Sequence, residues 1–138
     1  MKFYLLDVNT ITALTQLNPI TIQRAKSLQP DDEMITCFVV VGEWEYGIRN
    51  ALGVKRQWEI REQGAKIFGS LFDIVESSQE INLTYGEISA ELRREGAMIP
   101  QNDIWIVATA RVVGATVVTS DKHFKRVENL SVVDWTAS

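Results

Sequence analysis

Apolar residues in this chain gather into five short, nearly unbroken runs, separated by longer stretches with helical spacing of apolar and polar positions. The runs are FYLL (3–6), MITC (34–37), FDIV (72–75), ATVVT (115–119) and LSVVD (130–134). Strands covered on both faces bury all their side chains, so they read as continuous apolar runs rather than as alternation. Between them the pattern predicts two short helices split at Pro19 and a helix over 37–48. An amphipathic helix from about Val54 to Leu71 follows, then helices over 80–97 and 103–113. Gly96 and Gly114 stand at the ends of the last two, where glycine suits the backbone of a helix stop. Strand–helix alternation predicts an α/β fold, a parallel five-stranded sheet with helices on both faces joined by right-handed crossovers. Without repeats or a linker, residues 1–138 read as a single domain.

Composition narrows the class. Apolar residues at 46% and charged ones at 23% describe a globular chain with a core, not a disordered one. A net charge of −4 does not advertise nucleic-acid binding and leaves phosphate contact to local basic patches. Cys37 is the single cysteine, which excludes an internal disulfide and fits a reducing compartment. A single histidine and a single cysteine argue against a structural zinc site. The opening MKFYLLDVNT is too briefly apolar for a signal peptide, and no run approaches the roughly 18 apolar residues of a membrane span. The expectation is a soluble, cytoplasmic protein.

The chemistry lies in the acids that follow the apolar runs. In a parallel α/β sheet, ligands gather outside the carboxyl ends of the strands. Asp7 and Asn9 follow FYLL; Thr119 ends ATVVT, and Asp121 comes two residues later. Glu43 lies between Val40 and Gly47 at the edge of an apolar helix face, and Asp103 shares a stripe with Ile106, Val107 and Ala110. Each acid has an ordinary structural use. Asp7 can cap a helix beginning near Ile11, and Asp121 can cap the DKHFKR turn. Glu43 can pair with an arginine, and Asp103 can complement a helix dipole behind Pro100 and an Asn102 cap. Taken together, the four would converge if strands one and four were neighbours, and they would repel one another unless a cation intervened. Ligation by oxygen alone suits Mg²⁺ or Mn²⁺, and such a cluster fits metal-assisted phosphodiester hydrolysis.

The order LLDVNT, GEWEYG, IPQNDIWIVATA, VVTSDKHF resembles the PIN-domain ribonucleases, and within them the VapC-type toxins of toxin–antitoxin pairs, over essentially the whole chain. The resemblance implies a metal-dependent endoribonuclease with Asp7, Glu43, Asp103 and Asp121 as catalytic and metal-binding acids. Glu43 heads the family's pattern of acid, three residues, glycine, completed by Gly47. Asn9 and Thr119 fall at the family's supporting polar positions. A cognate antitoxin and a homodimer are implied as partners. Val8 and Cys37 depart from the family's usual hydroxyl residues, and neither departure removes an acid.

RNA approaching such a site needs cations at its rim. Arg49, Lys122, Lys125 and Arg126 are the candidates for phosphate contact, joined by His123, which is not assigned as a general base. Trp44 and Trp105 are expected in the core, and Trp58, in the polar stretch VKRQWEIREQ, is expected to be exposed for a partner protein. A haloacid-dehalogenase-like phosphatase would want a second aspartate where Asn9 stands. A phospho-receiver domain would want paired acids after the first strand and a lysine after the last. An RNA- or protein-binding module that keeps the fold and acids without turnover is the non-enzymatic alternative.

Overall fold

The computed structural model describes residues 1–137. Five strands, β1 (Phe3–Leu6), β2 (Glu33–Cys37), β3 (Asp73–Val75), β4 (Ala115–Val118) and β5 (Val132–Val133), form one parallel sheet in the order β3-β2-β1-β4-β5. The first and fourth strands are therefore neighbours, the condition on which convergence of the acids depended, with Leu6 opposite Val118 in register. Helices α1 (Val8–Thr15), α2 (Pro19–Lys26), α3 (Phe38–Arg49) and α4 (Val54–Ser70) link β1 to β2 and β2 to β3. Helices α5 (Gln79–Arg94) and α6 (Gln101–Val113) carry the chain back across the sheet to β4. These two sets of crossovers run in opposite directions, so right-handed connection places them on opposite faces. A 3₁₀ turn, Lys122–Arg126, precedes β5. Among the described residues no helix is long and apolar enough to cross a membrane.

Both faces of the sheet bury apolar side chains. Leu5, Leu6, Ile35, Val117 and Val118 meet Ile11, Val40, Ile88, Ile104 and Val107 from the helices in one core. Gly96 and Gly114 end α5 and α6 with positive φ, 65° and 71°, as their placement predicted. Asn18 caps α2, with Pro19 at its first turn, so the proline starts a helix where the sequence shows a break.

Several boundaries and burials depart from the sequence reading, each for a local reason. Helix α1 begins at Val8, three residues before Ile11, because the Asp7 carboxylate accepts the Thr10 N–H at 2.8 Å and closes the first turn immediately. Helix α6 is capped by Pro100 rather than Asn102, which lies inside its first turn. Trp44 and Trp105 are half-buried instead of fully interior. Trp105 stacks on Tyr85 of α5 with ring centroids 3.8 Å apart and meets Phe38 edge-on, so its outer face reaches solvent. Trp44 lies across Gly64 of α4, where a Cβ atom would collide with the indole. Trp58 is exposed, as expected.

Candidate metal centre

The chain leaves β1 toward β2 and β3 on one side, then returns to build β4 and β5 on the other. The crevice at this reversal, beyond the carboxyl ends of β1 and β4, is where open α/β sheets hold ligands. Asp7 stands there, 4% exposed. Its backbone N–H donates to Val118 O at 3.1 Å, and Thr10 Oγ1 donates to the same carbonyl at 2.9 Å. Since Thr10 N–H also holds the Asp7 carboxylate, the acid is tied to β4 through both its own backbone and the neighbouring hydroxyl. Thr36 Oγ1 donates to Leu6 O at 2.7 Å and fastens β2 to the same strand end. Burial raises the Asp7 pKa; hydrogen bonding from Thr119 and Thr10 offsets this in part, and Asp121 adds repulsion.

Beyond β4, Thr119 Oγ1 accepts the Asp121 N–H at 2.9 Å, and Asp121 Oδ1 accepts the His123 N–H at 2.9 Å. Asp121 thus caps the 3₁₀ turn, the structural use foreseen for it, while facing the crevice. Its Oδ1 also lies 2.8 Å from His123 Nδ1, which is 3.8 Å from Asp103 Oδ2. Asp103 is buried in the first turn of α6, 8% exposed. Burial, then the Asp121 carboxylate, then Glu43 and Asp7 push its pKa up to about 7. Glu43 on α3 is raised by burial and then by Asp7 and Asp121, with the Asn102 side chain offsetting part of the shift. Four carboxyl groups from four parts of the chain therefore feel one another electrostatically.

The oxygens Glu43 Oε1 and Asp103 Oδ2 are buried and have no hydrogen-bond partner. Among the described residues no lysine or arginine pairs with any of the four acids. Buried polar atoms normally find partners, and clustered carboxylates normally find countercharge. Orphaned oxygens, mutually raised pKa values and a hard donor set fit a divalent cation better than any arrangement the protein makes by itself.

Asp7, Glu43, Asp103, Asp121 and Thr119 thus border one crevice, with the ligating atoms of Asp103 and Asp121 in one close group and Asp7 and Glu43 near enough to repel them. Asn9 does not join them: it is exposed near the start of α1. Arg49 turns to Glu45 at 3.2 Å, where Arg61 forms a second, bidentate pair, and Arg126 donates to Met98 O at 3.0 Å. Those arginines leave Glu43 unpaired, against the ordinary use considered for it. Lys122 and Lys125 border a cavity of about 610 Å³ that opens beside Asp121. His123, which the sequence placed among the rim cations, is instead a member of the cluster. Its signal was the D-x-H spacing after β4, which lets a short turn fold the imidazole back onto its own cap.

Comparison with known proteins identifies the family. Residues 4–130 match the PIN domain family. Over 135 residues the chain is 29% identical to Ribonuclease VapC1 of Haemophilus influenzae, covering 96% of this chain and 98% of that one. Among solved structures, VapBC2 of Rickettsia felis, bound to a DNA fragment from its promoter, superposes with a TM-score of 0.87 at 25% identity. That match covers 96% of this chain and 98% of the other. VapBC-1 of nontypeable Haemophilus influenzae gives a TM-score of 0.84 at 28% identity, covering 98% and 99%. The chain belongs to the PIN-domain family and is similar along almost its whole length to that family's VapC ribonucleases.

Proposed function

We propose that this protein is a divalent-metal-dependent endoribonuclease, the toxin of a toxin–antitoxin pair, and that Asp7, Glu43, Asp103 and Asp121 hold its metal. The observation that carries the reading is the convergence of four carboxyl groups at the β1–β4 crevice, where burial and acidic neighbours raise the pKa of Asp7, Glu43 and Asp103, and where two oxygens are buried and unpartnered. The oxygen-rich donor set favours Mg²⁺ or Mn²⁺. When bound, such an ion supplies charge stabilisation at the phosphate and acidifies water.

The chain's own residues do the positioning. Asp7 is held by Thr10 and by the β4 backbone, Asp121 by Thr119, and Asp103 by the apolar wall of α6. In hydrolysis the oxygen of water adds to phosphorus, a P–O ester bond breaks, and the departing ribose oxygen takes up a proton. The Asp103 carboxyl, held protonated up to about 7 in the metal-free protein, must give up that proton to ligate an ion, so metal binding near neutral pH releases protons. Lys122 and Lys125, beside Asp121, offer positive charge to the RNA backbone on a protein whose net charge repels it. RNA as substrate implies a cytoplasmic site of action.

An antitoxin would find an apolar patch near the start of α4, where Leu52, Val54 and Trp58 are largely exposed. A homodimer would have the exposed Val41 and Tyr46 of α3 to cover. The test is cleavage of a structured RNA pool by purified, partner-free protein with Mg²⁺ or Mn²⁺. EDTA and an Asp103→Asn variant are the controls. Metal-dependent cuts lost in the variant are expected. Folded protein that binds RNA but cuts none with either metal would favour the binding module instead.

A further inference from the structure

His123 is the only histidine in the chain, and its Nδ1 is buried in the crevice without an aligned hydrogen-bond partner. Asp121 Oδ1 lies 2.8 Å from it, yet that oxygen already accepts the His123 backbone N–H. The nearest other acceptor, Asp103 Oδ2 at 3.8 Å, is itself unpartnered. Ligating atoms of Asp103, Asp121 and His123 all lie within 4.8 Å of one another. Adjacent ligands of an octahedral ion at about 2.1 Å stand about 3.0 Å apart, and opposite ones about 4.2 Å. The separations of 2.8 and 3.8 Å bracket the adjacent spacing and stay inside the opposite one. Two buried atoms that lack hydrogen-bond partners but keep the spacing of ligands are explained together by one shared ion.

Resting on the metal centre proposed above, the geometry points to His123 as a nitrogen ligand of that ion, through Nδ1, beside Asp121 and Asp103. The consequence is metal selectivity. Carboxylate oxygens serve Mg²⁺ and Mn²⁺ alike, whereas imidazole favours first-row transition ions over Mg²⁺. One neutral nitrogen among the acids therefore tilts the chain toward Mn²⁺. It also gives His123 a task distinct from phosphate contact, since a ligating nitrogen faces inward to the ion.

Because the chain has one histidine, an isotope label reports it alone. Tag-free wild-type protein, with and without ¹⁵N-histidine, is loaded with Mn²⁺ and read by pulsed electron paramagnetic resonance, with no RNA present. A nitrogen coupling that changes isotope pattern with the label is the expected result, and it needs no variant to fold. Calorimetry with Mn²⁺ and Mg²⁺ then compares the wild type with His123→Gln. Mn²⁺ affinity should fall about tenfold or more, with Mg²⁺ affinity nearly unchanged. Tight Mn²⁺ binding without histidine coupling, or equal losses for both metals, overturns the ligand role and leaves the ribonuclease reading standing. Folded wild type that binds neither metal overturns both.

Discussion

Removing the charge of Asp103 should destroy activity and yet stabilise the metal-free protein. Its carboxyl group, ordinarily near 3.8, is pushed up to about 7 by burial and by its acidic neighbours. A folded-state pKa above the unfolded one means that the native state holds the proton more tightly. The associated stability is complete below about 3.8 and is lost as pH rises through about 7. At 1.36 kcal/mol per unit, a shift of about three units sets a ceiling of about 4 kcal/mol. The open mouth of the crevice screens part of that, leaving an expected cost of about 2 kcal/mol at pH 7.5. Asp103→Asn abolishes the cost. In EDTA at pH 7.5 the variant should therefore be about 2 kcal/mol more stable, or roughly 5–10 °C higher in Tm for a domain of this size. Urea titrations followed by tryptophan fluorescence measure this at pH 4, 5.5 and 7.5, and the advantage should shrink toward nothing at pH 4. Mn²⁺ at about 100 times its Kd should add about 2.7 kcal/mol to the wild type and much less to the variant, reversing the order. A metal-free wild type as stable as the variant at pH 7.5, or a gap independent of pH, would refute the argument.

Three further outcomes follow from contacts described above. Thr10→Val removes the hydroxyl bonded to Val118 O and should cost about 1 kcal/mol by denaturant titration; the cleavage rate should fall more steeply than stability does, and Thr10→Ser should restore both. Gly64→Ala drives a Cβ into the Trp44 indole; despite the helix propensity gained, net destabilisation of about 1–3 kcal/mol is expected, visible as an earlier fluorescence melt. Replacing Lys122 and Lys125 together with glutamine should weaken RNA binding and flatten its log–log salt dependence by about 1.4; an unchanged slope would remove both from the RNA path.

Most of the fold was legible because parallel strands betray themselves as unbroken apolar runs, and four of the five appear within one residue of their expected limits. LSVVD contracts to Val132–Val133, an edge strand paired on one side only. The acids were legible for a different reason: Glu43 and Asp103 interrupt apolar helix faces, where a carboxylate needs a purpose. Strand order was not readable from periodicity, since any parallel arrangement of these runs buries similar surface. Thr10 escaped notice, and His123 was read as a rim cation rather than a neighbour of the acids. The first looks like an ordinary helix residue until Val118 is beside it, and the second like a turn residue until α6 brings up Asp103. Side chains whose meaning depends on a distant partner carry no local signature.

The bond from Thr10 to Val118 spans 108 residues, and Asp7 is seated only when β4 slides in beside β1. During synthesis the strand that positions the first acid emerges about a hundred residues after it. A nascent chain has no assembled cleft until β4 and the turn behind it have left the ribosome, so the translation machinery handles an inert polypeptide up to that point. Messages cut short, or frameshifts before residue 115, should likewise yield harmless product, because the centre is divided between segments that lie about a hundred residues apart.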